Sequence, residues 1–219
     1  LEKRQRFGLA VTAKVAQTID KYADRPFLLG YRQSPEEPMT PGITLADSLA
    51  FAKKLVDLPV DYLHLSLKDA FQTPFKDKTD TDMIIAHYKQ ALPADFPLMV
   101  AGLLKQPDQV ERLMDEGVTF AALGRELIVE PNWVQKVAQH DMQAIRYAVS
   151  PADFELLGVP KPLETWLLTR FRNGLPVTTD PEFDPKVPWR YYKHNVAHAP
   201  RPVEPTELLT MKPKASQPE

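Results

Sequence analysis

Apolar runs and helical segments alternate along the first two-thirds of the chain. Each of four short apolar runs ends at polar residues, Gly or Pro, as buried strands do, and a stretch with apolar residues at helical spacing follows each run. Strand–helix alternation predicts right-handed βαβ units and a parallel sheet covered by helices on at least one face. The predicted strands are 26–31, 60–65, 97–101 and 119–123; the predicted helices are 7–22, a helix N-capped by Thr44, 79–91, 107–116 and 133–140.

These four βα units and the preceding helix make an α/β fold, either an open sheet or a partial TIM (βα)8 barrel. A complete barrel takes about 250 residues, and residues 1–141 are too few for one. Residues 142–219 hold 12 of the 22 Pro and read as a C-terminal extension: one short helix at 166–171, then an extended Pro-rich tail. We expect the aromatic and basic cluster at 189–194 to anchor that tail.

Composition excludes several functions. With 27 Lys+Arg against 29 Asp+Glu, no single-signed field favours a nucleic-acid or acidic-membrane surface. The absence of Cys excludes disulfides, thiolate metal sites and a Cys nucleophile. No apolar run reaches the roughly 20 residues of a membrane span, and no metal site or classical hydrolase motif is recognisable. We expect a cytoplasmic protein that binds neither nucleic acid nor membrane, and the N-terminal Leu suggests a processed chain or a piece of a longer one.

The residues just after each strand are the most informative, because ligands of parallel α/β folds bind at the carboxyl ends of strands. Gly102-Leu103 follows the third strand and Gly124-Arg125 follows the fourth. Consecutive strands that end in Gly are typical of a phosphate site built from backbone N–H groups. The alternative is that Gly102 and Gly124 only permit tight turns.

Two further polar residues lie on the first two strands. Arg32 ends the first strand, where its guanidinium suits an anionic or carbonyl-rich ligand; the alternative is a salt bridge to Glu36 or Glu37. His64 lies in the second strand and by alternation shares a face with Ser66. A hydrogen-bonded core histidine is the alternative interpretation of His64.

Five stretches in collinear order carry a resemblance to a known family. They are LEKRQRF at 1–7, GYRQSPEE at 30–37, VDYLHLS at 60–66, VAGLL at 100–104 with a following Pro, and ALGRELIVEP at 122–131. Together they resemble the C-terminal half of the Old Yellow Enzyme family, the FMN-dependent NAD(P)H:flavin oxidoreductases built on a (βα)8 barrel. The resemblance spans roughly residues 1–140.

The resemblance implies a role for each site residue. Arg32 would face the pyrimidine ring of the flavin, while Gly102, Leu103, Gly124 and Arg125 would hold the FMN phosphate. The family's Gly-Gly pair is Gly102-Leu103 here. The complete enzyme would take hydride from NADH or NADPH and pass it to a small-molecule electron acceptor such as an activated alkene.

The first four strands of the family's barrel, which carry its catalytic residues, have no counterpart in this chain. The resemblance therefore implies no catalytic residue here, an inactive isolated chain, and association with a missing N-terminal half or a second copy. One alternative is a non-catalytic half-barrel module for assembly or partner binding, with a vestigial phosphate site. Another is a fragment of a different phosphate-binding barrel enzyme, but only the flavin interpretation gives Arg32 a role.

Overall fold

A four-stranded parallel sheet organises the first part of the chain, as predicted. The computed structural model describes residues 2–171 and 175–177. The strands lie in the order β1-β2-β3-β4, so that each strand pairs with the next one along the chain. They are β1 (Gly30–Gln33), β2 (Tyr62–Ser66), β3 (Leu98–Ala101) and β4 (Phe120–Ala122).

Helices follow the strands. They are α1 (Glu2–Tyr22), α2 (Leu45–Val56), α3 (Ile84–Ala91), α4 (Pro107–Asp115), α5 (Arg125–Val129), α6 (Trp133–Ala138), α7 (Asp153–Leu156) and α8 (Lys161–Thr169), with a 3-10 turn at Met142–Ala144. Thr44 caps α2 as predicted, and it forms a capping box with Asp47. The short helix predicted at 166–171 overlaps α8, which begins at Lys161 and ends at Thr169.

Several predicted boundaries are wrong. Helix α1 begins at Glu2, five residues before its predicted start. The first strand begins at Gly30 instead of at 26, and Phe27 and Leu28 before it are largely exposed. Helix α3 begins at Ile84 instead of at 79. Before α3, Asp77 Oδ1 accepts from Thr79 N and Asp80 Oδ1 from Asp82 N, and such local turns compete with helical hydrogen bonds.

The two faces of the sheet differ in what covers them. Leu63 and Leu65 of β2 and Val100 of β3 are buried in a core shared with α2, α3 and α4. The alternating residues form the opposite face, which we call the inner face. Its members stay outside that core, and Phe120 on β4 is 48% exposed. The inner face comprises Gly30, Arg32, Tyr62, His64, Ser66, Met99, Ala101, Phe120 and Ala122.

Contacts divide the chain into two compact units. Within the described residues, the first comprises 2–104 and 108–123, and the second comprises Lys105–Pro107 with 124–171 and 175–177. The second unit has its own apolar core, which includes Val129, Val149, Phe154, Leu167 and Leu168. The proposed domain boundary at residue 141 stays a prediction.

The predicted Pro-rich tail and the cluster at 189–194 lie outside the described residues. Within 2–171 and 175–177, no helix has both the length and the apolar character that crossing a membrane requires.

Candidate functional site

Arg32 is held on the inner face by a neighbouring strand. Its Nη2 donates to Ser66 Oγ at 2.6 Å, from β1 to β2. The alternative salt bridge is wrong, because both glutamates bind backbone instead: Glu36 Oε2 accepts from Phe75 N and Glu37 Oε2 from Ile43 N, each at 2.9 Å. Among the described residues, no carboxylate forms an ion pair with Arg32.

His64 lies directly across the strand pair from Arg32, because the two are register partners. Partial burial lowers the pKa of His64, and the positive charge of Arg32 lowers it further, so the ring is neutral at pH 7. Its Nε2 atom is buried without a hydrogen-bond partner in the described part of the chain. At Nε2, His64 therefore lacks the hydrogen bond that the core-histidine interpretation would supply.

Gly102 follows β3, and the chain itself requires it to be glycine. Its carbonyl oxygen accepts from Ala70 N at 2.9 Å, and a Cβ added to Gly102 would lie 2.5 Å from that nitrogen and 2.7 Å from the carbonyl carbon of Asp69. Real Cβ atoms essentially never approach backbone so closely. Close packing of the β2–α3 loop thus explains this glycine without a ligand.

Leu103 adopts a backbone conformation that favours glycine. Its φ is 51°, in the left-handed region, and its side chain is 39% exposed. A side chain in this region costs about 1–3 kcal/mol of strain. The position where the resemblance places the second Gly of a Gly-Gly pair has therefore kept the glycine backbone shape while carrying a leucine.

Gly124 and Arg125 begin the second unit. Among the described residues, no atom lies within 4 Å of a Cβ added to Gly124, so open space borders its backbone there. Arg125 is exposed at the first position of α5. In the described part of the chain, the open space beside Gly124 leaves its backbone accessible to an anion.

The second unit also buries a carboxyl that the sequence did not reveal. Glu126 is 2% exposed, and neither carboxyl oxygen has a hydrogen-bond partner among the described residues. Burial raises the pKa of Glu126 to about 8; the charge of Lys105 opposes this shift, and the charge of Glu130 adds to it. The only sequence signal was its place in an apolar helical run, since charged residues are rarely fully buried.

Asp80, Asp82 and His87 also come together around the start of α3, although no metal site was recognisable in the sequence. Their three potential ligand atoms lie within 4.8 Å of one another. Asp80 Oδ2 lies 2.9 Å from His87 Nε2, and Asp80 Oδ1 accepts from Asp82 N. These contacts stabilise the turn that begins the helix.

The chain matches the model of one protein family over residues 1–143. That family is described as the NADH:flavin oxidoreductase / NADH oxidase family. The chain belongs to this family. The sequence resemblance is thereby confirmed.

Curated relatives agree with this assignment. The chain is 33% identical over 162 residues to the probable NADH-dependent flavin oxidoreductase YqiG of Bacillus subtilis (strain 168). This alignment covers 74% of this chain and 44% of that protein. It is 32% identical over 165 residues to the NADH:fumarate oxidoreductase of Klebsiella pneumoniae (strain 342), covering 74% of this chain and 18% of that protein. The chain thus spans less than half the length of these relatives.

Among solved structures, 2-naphthoyl-CoA reductase in complex with 2-naphthoyl-CoA matches with a TM-score of 0.50 and 18% identity. The match covers 66% of this chain and 22% of that protein. It supports the α/β partial barrel: four parallel strands with their helices, which is half the strand number of a complete (βα)8 barrel.

Proposed function

We propose that this chain is the C-terminal half of the barrel of an FMN-dependent NADH oxidoreductase. Bound FMN would supply hydride transfer from NADH to a small-molecule acceptor such as an activated alkene. The observation that supports this proposal most is the position of Arg32 on the inner face. The Ser66 hydroxyl anchors its guanidinium, and no described carboxylate neutralises its charge.

Each proposed residue has a distinct role. Arg32 would place a fixed positive charge beside the pyrimidine ring and so favour the charge that develops there. We assign the phosphate to backbone groups of Gly102, Leu103 and Gly124, and to Arg125 through a charge-assisted contact. Two observations support the fit: the open space beside Gly124 and the buried, unpartnered Nε2 of His64 beside Arg32.

The inner face needs a partner in the active protein, because an uncovered sheet face exposes apolar side chains such as Phe120. We propose that the N-terminal half of the barrel covers it, since the relatives are more than twice as long as the matched region. That half would bring the catalytic residues, so we expect the isolated chain to be inactive. A second copy of this chain is the other candidate to cover the inner face.

We propose a cytoplasmic location, because a chain without Cys suits a reducing compartment.

A non-catalytic half-barrel module with a vestigial phosphate site is the second candidate. The observation that favours it is Leu103, whose side chain occupies a backbone conformation suited to glycine. FMN affinity separates the two proposals, because a vestigial site would not prefer FMN to riboflavin or to a sugar phosphate.

The test is a fluorescence titration of the chain with FMN, with riboflavin as the analogue that lacks the phosphate. We expect FMN to bind more tightly than riboflavin, and a sugar phosphate to compete only weakly. Arg125→Ala should weaken FMN binding more than Leu103→Gly, because only the first variant deletes a charge-assisted contact. Equal affinities for FMN and riboflavin would contradict the proposed phosphate site, and equal losses in the two variants would contradict the role of Arg125.

A further inference from the structure

Ser66 holds the Arg32 guanidinium by a direct contact between neighbouring strands. Ser66 ends β2, and its Oγ accepts from Arg32 Nη2 at 2.6 Å. Arginine has a long side chain with many rotamers and five donors, so a single well-placed acceptor strongly restricts where its charge lies. Among the residues described, Ser66 supplies the hydrogen bond that holds this side chain.

Glutamates that could have held Arg32 are committed elsewhere. Glu36 accepts from Phe75 N and Glu37 from Ile43 N, so both carboxylates organise the loop that follows β1. A carboxylate partner would have neutralised the guanidinium, whereas a hydroxyl fixes its position and leaves its charge intact.

His64 completes the arrangement from the adjacent register position. As the register partner of Arg32, it carries the imidazole nearest to the cation along the strand pair. Its ring is neutral, so it adds no second positive charge beside Arg32. The pKa of His64 therefore reports the distance between its ring and the Arg32 guanidinium.

We propose that Ser66 is a positioning residue, which aims the Arg32 guanidinium at the flavin across the inner face. The flavin part of this proposal rests on the proposed function. Ser66 acts through Arg32, so its removal has an effect only while Arg32 is present. The hydroxyl is the required group, and threonine is able to replace serine.

The first measurement needs no flavin: the pKa of the His64 ring, followed by NMR on the ¹³C-labelled chain. The chain has five His, and a His64→Gln variant identifies the signal. Arg32→Met should raise the pKa of His64, because it removes the nearby charge. Ser66→Ala should also raise the pKa of His64, by less than Arg32→Met does. Ser66→Thr should leave that pKa near the wild-type value.

Additivity decides whether Ser66 works through Arg32. Ser66→Ala added to Arg32→Met should give no further change in the His64 pKa. Ser48→Ala is the matched control, because it removes another serine hydroxyl, which donates to Pro35 O, and leaves the Arg32 contact intact. No change in Ser66→Ala, or a change that persists in the double variant, would overturn the positioning role.

The second measurement is the reduction potential of FMN bound to the protein. Ser66→Ala should shift it in the same direction as Arg32→Met, to a lower potential and by a smaller amount, and Ser66→Thr should restore it. If the His64 shifts appear as expected but FMN fails to bind, Ser66 holds Arg32 and the proposed function is wrong. If FMN binds and its reduction potential is the same in Ser66→Ala as in wild type, the proposal that Ser66 positions Arg32 toward the flavin is refuted.

Discussion

Replacing Glu126 with Gln should remove a pH-dependent loss of stability. The carboxyl is 2% exposed, and its pKa is raised from 4.5 to about 8. The folded chain then binds more protons than the unfolded chain between these two values, so the free energy of unfolding falls as pH rises from about 4.5 to 8 and levels off above 8. At pH 7 the raised pKa lowers the free energy of unfolding by about 3 kcal/mol, at 1.36 kcal/mol per pKa unit. By the same relation, the free energy of unfolding of the wild-type chain falls by about 4 kcal/mol between pH 5 and pH 9. Gln matches the neutral acid in shape and does not titrate.

The assay is urea unfolding at pH 5, 7 and 9, followed by Trp fluorescence. Two of the three Trp, Trp133 and Trp166, are described residues of the second unit, so their signal reports the unit that carries Glu126. Glu126→Gln should gain stability relative to wild type as pH rises, by about 3 kcal/mol between pH 5 and 9 once partial relaxation is allowed. Glu155→Gln is the matched control, because Glu155 is exposed in the same unit. Parallel pH profiles for wild type and Glu126→Gln would refute the reasoning.

Two further predictions concern the turn after β3, and both are measured as free energies of unfolding in urea. Gly102→Ala should destabilise the chain by about 2 kcal/mol, because its Cβ would lie 2.5 Å from Ala70 N; a loss below about 0.5 kcal/mol would show that the loop moves aside freely. Leu103→Ile should cost more than about 1 kcal/mol, because a β-branched residue is poorly accommodated at φ 51°. Leu103→Gly should stay within about 1 kcal/mol of wild type, since relief of strain offsets the lost apolar contact; an equal cost for both Leu103 variants would contradict the strain argument.

The fold was predictable where hydrophobic alternation coincides with burial. The parallel sheet and the Thr44 cap followed from local patterns, because strand period and capping are encoded by adjacent residues. The first strand was placed too early, since Phe27 and Leu28 are apolar yet exposed. Apolar composition signals burial only where packing partners exist, and those partners are set by the tertiary structure.

The residue types of the proposed site came from the sequence, and their role in binding FMN stays a prediction; the contacts between them could not be predicted. The resemblance singled out Arg32, whereas its partner Ser66 lies 34 residues away and only the β1–β2 register brings the two together. Glu126 was missed because a charged side chain is rarely fully buried, even within an apolar helical run. Such features depend on tertiary neighbours that local sequence does not encode.

Retention of FMN by the purified chain tests the central claim most directly. The chain is mixed with excess FMN, separated from free flavin by gel filtration, and examined by visible absorption with its native mass determined on the same fraction. We predict retained flavin absorption, and a weaker signal when Arg32→Met is treated in the same way. A flavin-free chain at saturating FMN, in either a monomer or a dimer fraction, would contradict the account and favour the non-catalytic module.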